Sequence, residues 1–161
     1  MKPISVNTKL YFLLTHADGE VHSKEIEMGE KMMWHEAISQ DQFSDDIRIL
    51  SAQKKENIFE ECVDALLKFN KNDQVNVLAW MCLIANADGF MDKNEWQLIY
   101  QIYHKHLSLE LNEIMQRQKE LHRFIARYRT DPEDKKENSV SLNSSINTST
   151  NTGKSNMAFP V

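Results

Sequence analysis

Apolar residues recur along this chain at helical spacing, and their grouping predicts seven helices. Leu10, Leu13, Leu14 and Ala17 mark a first helix over residues 5–17. Ile26, Met32, Met33 and Ala37 form much of the stripe of a second, from about Ser23 to Ala37. Phe43, Ile47 and Leu50 mark a third over about 41–52, and Ile58, Phe59, Cys62, Val63, Leu66 and Leu67 a fourth over about 55–69. The polar run Asn70-Lys71-Asn72-Asp73 breaks the pattern, with an N-cap expected at its end, so a fifth helix starts near 74. Val75–Ala87 is apolar on most faces, which reads as a buried central helix. A sixth helix is expected over 93–106 and a seventh over 109–128. No stretch alternates with period two, so no sheet is expected and the fold class is all-α.

From Arg129 onward the character changes. Residues 138–153 are almost entirely Ser, Thr and Asn. Such a segment buries too little apolar surface to offset the entropy of ordering it. The expected organisation is a helical domain over 1–129 and a disordered tail over 130–161. The closing Met157-Ala158-Phe159-Pro160-Val161 reads either as a frayed end or as a docking peptide.

Two segments 70 residues apart match one another. One reads Leu14-Thr15-His16-Ala17-Asp18-Gly19-Glu20-Val21-His22-Ser23-Lys24-Glu25-Ile26. The other reads Ile84-Ala85-Asn86-Ala87-Asp88-Gly89-Phe90-Met91-Asp92-Lys93-Asn94-Glu95-Trp96. Each lies between two expected helices. Ala permits close packing where the first helix ends. Gly makes the reversal through the left-handed region. Val21 or Met91 is expected to plug the turn into the core, and Asp92 with Glu95 has the spacing of a capping box. Asp18 and Glu25, like Asp88 and Glu95, approach one another across a turn.

These four carboxylates carry the candidate chemistry. In one reading they cap backbone N–H groups and brace the turns, which needs only local geometry and is favoured for that reason. In the other they hold a divalent cation or a cationic partner. An all-oxygen set suits Ca2+ or Mg2+ rather than zinc. An EF-hand is excluded, because its first ligand positions would fall on Leu14 and Ile84, and its second on His16 and Asn86.

Paired Ala-Asp-Gly turns, each followed by Glu seven residues after the Asp, resemble the TerB-like tellurite-resistance superfamily over about residues 5–128. That superfamily includes TerB and the N-terminal regions of some DnaJ-like co-chaperones. The resemblance implies a bundle of about seven helices whose two turns are related by pseudo-symmetry. It also implies an acidic, metal-binding cluster at Asp18, Glu25, Asp88 and Glu95. It implies partners among the proteins of a stress-response or membrane-associated complex. In the second turn Phe90 stands where the first has Glu20, so that copy is less acidic, and Asp92 partly compensates. No His-Pro-Asp tripeptide follows, so a co-chaperone role is not implied.

Composition narrows the reading. Hydrophobic residues make up 41% of the 161 residues, Gly and Pro number only 4 and 3, and the net charge is −5. All of that charge falls before residue 129, and no Lys/Arg cluster appears, so nucleic acid is not an expected partner. Cys62 and Cys82 sit in apolar helical patterns and read as buried thiols of a reducing compartment. Lys2 precedes no hydrophobic signal region, and Tyr11–Leu14 is too short to span a membrane. The expectation is a cytoplasmic protein without direct membrane insertion.

His16 and His22 flank the first turn and read as surface residues. His104 and His106 point to different helix faces and make no zinc pair. The aromatic residues Trp34, Trp80, Trp96, Tyr100 and Tyr103 are expected in the core. Trp96 and Tyr100 form a second option as the lining of a partner groove. Met28, Met32 and Met33 are expected to fill the core. Phosphate loops, nucleophile elbows and metal-ligand cysteine spacings are missing from the sequence. The functional expectation is a non-enzymatic scaffold or sensor. The alternative is a metal-dependent, hydrolase-like enzyme using the four carboxylates.

Overall fold

A stretch of good helix formers becomes stable only when its apolar stripe finds a partner, and here each helix lays that stripe on a neighbour. The computed structural model describes residues 3–17 and 19–128. Within them the order is α1 (Val6–Thr15), α2 (Ser23–His35), α3 (Gln40–Ser51), α4 (Lys55–Lys68), α5 (Lys71–Ala85), α6 (Lys93–Tyr100) and α7 (Leu111–Tyr128). A π-helical segment, Gln101–His106, extends α6. The fold is all-α, and no strand occurs among the described residues. The expected tail, residues 130–161, lies outside them, as does Asp18.

α5 is the centre of the bundle. From Val77 to Ala85 every side chain is buried, Trp80 completely. α7, α1, α2 and α6 pack around it, and α1 also meets α2, α3, α4 and α6. Helices α2 and α6 therefore each lie on both α5 and α1. Among the described residues, no helix is long and apolar enough to cross a membrane.

Several boundaries differ from the sequence pattern, and three of them have a visible cause. α5 starts at Lys71 because Asn70, not Asp73, is its N-cap; the Asn70 side-chain oxygen accepts the Asp73 N–H at 2.8 Å. The sixth helix stops being α-helical at Tyr100, and the Leu107 N–H reaches back five residues to the Ile102 carbonyl at 3.0 Å. This wider turn is a register change that apolar spacing does not reveal. α2 ends at His35, and Ala37 takes φ +59° as the Ile38 N–H closes on the Met33 carbonyl at 2.8 Å.

The expected core is largely observed, including Met32, Met33, Trp80 and Tyr103. Exceptions among the large side chains are Val21, Ile26, Trp34, Leu67 and Tyr100, which are exposed. Trp96 is half-buried against the core.

Candidate functional site

Both Asp-Gly turns are assembled from the same hydrogen bonds. At the end of α1 the N–H groups of His16, Ala17 and Gly19 donate to the carbonyls of Phe12, Leu14 and His16. At the end of α5 those of Asn86, Ala87 and Gly89 donate to Cys82, Ile84 and Asn86. Gly19 has φ +85° and Gly89 has φ +87°, so each glycine makes the left-handed reversal that its position predicts. The chain then re-enters a helix through an extended residue, His22 or Asp92.

Glu25 and Glu95 stand three residues into those helices, each only 2% exposed. The Glu25 Oε1 accepts the His22 N–H at 3.3 Å, and the Glu95 Oε1 accepts the Asp92 N–H at 3.2 Å. Each carboxylate thus satisfies a backbone donor that a helix start leaves open, where the macrodipole also favours negative charge. Asp92 completes the second box by accepting the Asn94 N–H at 2.8 Å. Asp88 is exposed at the turn's tip, and its Oδ1 accepts the Phe90 N–H at 3.1 Å. Three of the four predicted site residues therefore hold their own turns.

Among the described residues, no three His, Cys, Asp or Glu side chains converge in a way that would hold a metal ion. Ca2+ takes six to eight oxygens. Glu25 and Glu95, buried beneath helix starts, fit the role of caps better than that of a cation cage. Capping, the favoured reading from sequence, is the one these contacts support for Glu25, Asp88 and Glu95.

The acid residues share the turns with apolar side chains that face solvent. Phe90 is 71% exposed at the second turn, and Val21 is 41% exposed at the first. Val21 was expected to plug the core; only its counterpart Met91 packs there. Position 21 is apolar in character, but the domain covers it only in part. His16, expected at the surface, is half-buried. Its ring stacks on Phe12, with centroids 4.3 Å apart, and its Nδ1 donates to the Phe12 carbonyl at 2.9 Å. Lys55 donates to the His16 carbonyl at 3.1 Å, tying the start of α4 to the end of α1.

A polar network that the sequence did not suggest joins three helices. Glu36, just beyond α2, accepts from His35 Nδ1 at 2.8 Å, from the Trp80 indole at 2.9 Å and from Asn76 at 3.2 Å. Asn76 in turn accepts from Arg117 Nε of α7 at 2.9 Å. The available signal was Trp80 itself, since a tryptophan in an otherwise apolar buried helix needs an acceptor for its N–H.

The family model for tellurite resistance protein TerB matches residues 7–113. The chain belongs to the TerB family. The match runs from the start of α1 into α7 and so contains both Asp-Gly turns. No curated protein and no solved structure matched the chain.

Proposed function

We propose that this TerB-family chain is an intracellular, non-enzymatic scaffold or sensor that presents its two Asp-Gly turns to partner proteins of a stress-response complex. The observation that carries this reading is the exposure of Phe90 beside Asp88 at the tip of a rigidly capped turn. A large exposed aromatic next to a charge on a pre-organised backbone has the chemistry of an interface anchor. Val21 and Ile26 give the first turn a related apolar character. The Glu residues beneath each turn act in this reading as braces that fix the presented surface.

The test is survival on tellurite of cells relying on this chain, compared with cells carrying Phe90→Asp. The expected result is loss of resistance with a melting temperature within a few degrees of wild type, because an exposed side chain contributes little to the fold. Survival that is indifferent to Phe90→Asp, in a strain whose resistance depends on the chain, would sink the reading.

A sensor role adds a cation. Asp88 at the turn's tip is the accessible carboxylate that could join Asp18, Glu25 and Glu95 around Ca2+ or Mg2+. If such a cation binds only the folded state, it raises the melting temperature by mass action. Asp18→Asn with Asp88→Asn should remove that rise. If the midpoint stays the same with millimolar Ca2+ or Mg2+, the carboxylates are caps alone.

A further inference from the structure

A groove of about 450 Å3 opens beside the start of α1, between α1, α3 and α4, away from the Asp-Gly turns. Pro3, Ile4 and Ile49 give it an apolar wall. Its charges divide unevenly. Lys9 is paired with Glu61 at 2.9 Å, and Arg48 with Asp45 at 3.0 Å. The carboxylate left over is Asp46, which lines the groove and is only 3% exposed. Gln42 donates its side-chain amide to Asp46 Oδ1 at 2.8 Å. Among the described residues, no hydrogen bond or ion pair reaches its other oxygen, which is open to solvent at the groove.

A carboxylate that is mostly buried, with one neutral protein partner and one oxygen facing a groove, gains from a cation that reaches that oxygen. We propose that this groove is a binding site for an alkylammonium group, with Asp46 as its anion and Pro3, Ile4 and Ile49 as the wall for its hydrocarbon stem. The geometry selects among cations. A guanidinium binds best to both oxygens of a carboxylate, but Gln42 already occupies one. A divalent metal needs more oxygen ligands than one carboxylate provides. A compact ammonium needs one strong acceptor and tolerates an apolar stem alongside, which is what the groove offers.

The ammonium could come from a free amine or from a lysine side chain of a partner, and the experiment separates the two. The full chain, labelled with 15N, is titrated with n-butylammonium, with a capped lysine dipeptide and with tetramethylammonium, which carries the same charge but no N–H donor. Saturable shifts are expected at the amides of Ile4, Gln42, Asp46 and Ile49. Both Asp46→Asn and the change to tetramethylammonium should weaken binding about tenfold or more, because each removes a charge-assisted hydrogen bond. Asp45→Asn should change it less than about twofold, since Asp45 is an exposed member of a surface pair. Tighter binding of the dipeptide than of butylammonium assigns the site to a partner's lysine; equal or weaker binding assigns it to a free amine. The proposal is overturned if butylammonium gives no saturable shift, or if tetramethylammonium binds as well as it does. The tetramethylammonium arm uses wild type alone, so it decides the question even if Asp46→Asn fails to fold.

Discussion

The two halves of the repeat, α1 with α2 and α5 with α6, are alike at their turns and unlike in how their second helices seat. Glu25, Met32 and Met33 are buried in the first half, and Glu95, Ile102 and Tyr103 occupy the equivalent buried places in the second. Between them the halves part. Gly29 stands where the second half has Ile99, which is completely buried. The absent side chain lets α2 close onto the ring of Tyr11; a Cβ at Gly29 would overlap that ring. The second half fills the same place with a branched side chain. The same turn therefore launches two helices that approach their neighbours differently, and the conserved element is the local turn, not the packing around it.

The largest effects should come from the position where the halves differ. Ile99→Ala opens a cavity against α5 and α1 and should cost about 2–5 kcal/mol in denaturant unfolding. Gly29→Ala gains helix propensity worth about 1 kcal/mol, but overpacking costs about 1–3 kcal/mol. A net loss is expected, because Phe43 holds Tyr11 on its other side with ring centroids 5.2 Å apart. Tyr11→Leu in the Gly29→Ala background should return part of that loss, a coupling visible in a double-mutant cycle. If Gly29→Ala stabilises the protein, α2 does not seat on Tyr11 as described.

The next effect tests where the halves agree. Gly19→Ala and Gly89→Ala each place a Cβ in the left-handed region with open space around it, so backbone strain is the whole cost. Each should lose about 1 kcal/mol, and the two losses should match within error. A large difference would show that the turns are equivalent in shape but not in the constraint placed on them.

These cases show which parts of the molecule the sequence could carry. The turns were legible because everything that makes them is local: Gly supplies the positive φ, and Glu sits three residues into the next helix. Helix α5 was legible because a run from Val75 to Ala85 has no polar face to turn toward water. The start of α5 was misplaced because Asn70 and Asp73 are both good caps, and only the folded backbone chooses between them. Val21 and Ile26 were assigned to the core because spacing reports that a position is apolar, not that a partner surface exists. The Glu36 network was hidden for the opposite reason, since its members lie about 40 residues apart in the chain. For the metal set, sequence gave composition without convergence, and three of its four residues turn out to be engaged at their own turns.

The smallest expected effect distinguishes the halves by their buried acids. α1 carries the Tyr11 phenol where α5 carries Met81, and α5 carries the Cys82 thiol where α1 carries Phe12. Burial, with the Glu25 and Glu30 carboxylates adding to it, pushes Tyr11 from 10.0 up to about 12. Burial alone pushes Cys82 from 9.0 up to about 12, and it moves Cys62 of α4 by the same amount despite the opposing pull of Lys9. In each case the folded state holds its proton more tightly than the unfolded chain, so stability falls as pH rises. The contribution is complete below pH 9, where the unfolded chain also keeps these protons. It is lost progressively between the unfolded values, 9.0 for the thiols and 10.0 for the phenol, and about 12. Thermal unfolding followed from pH 8 to 11 should therefore show a flat midpoint that begins to decline above about 9, with the thiols responsible for the first part of the fall. Tyr11→Phe should flatten only the later part, above about pH 10. A decline above about pH 10 that Tyr11→Phe leaves unchanged would mean that the phenol under α2 is open to solvent, and with it the close seat that Gly29 provides.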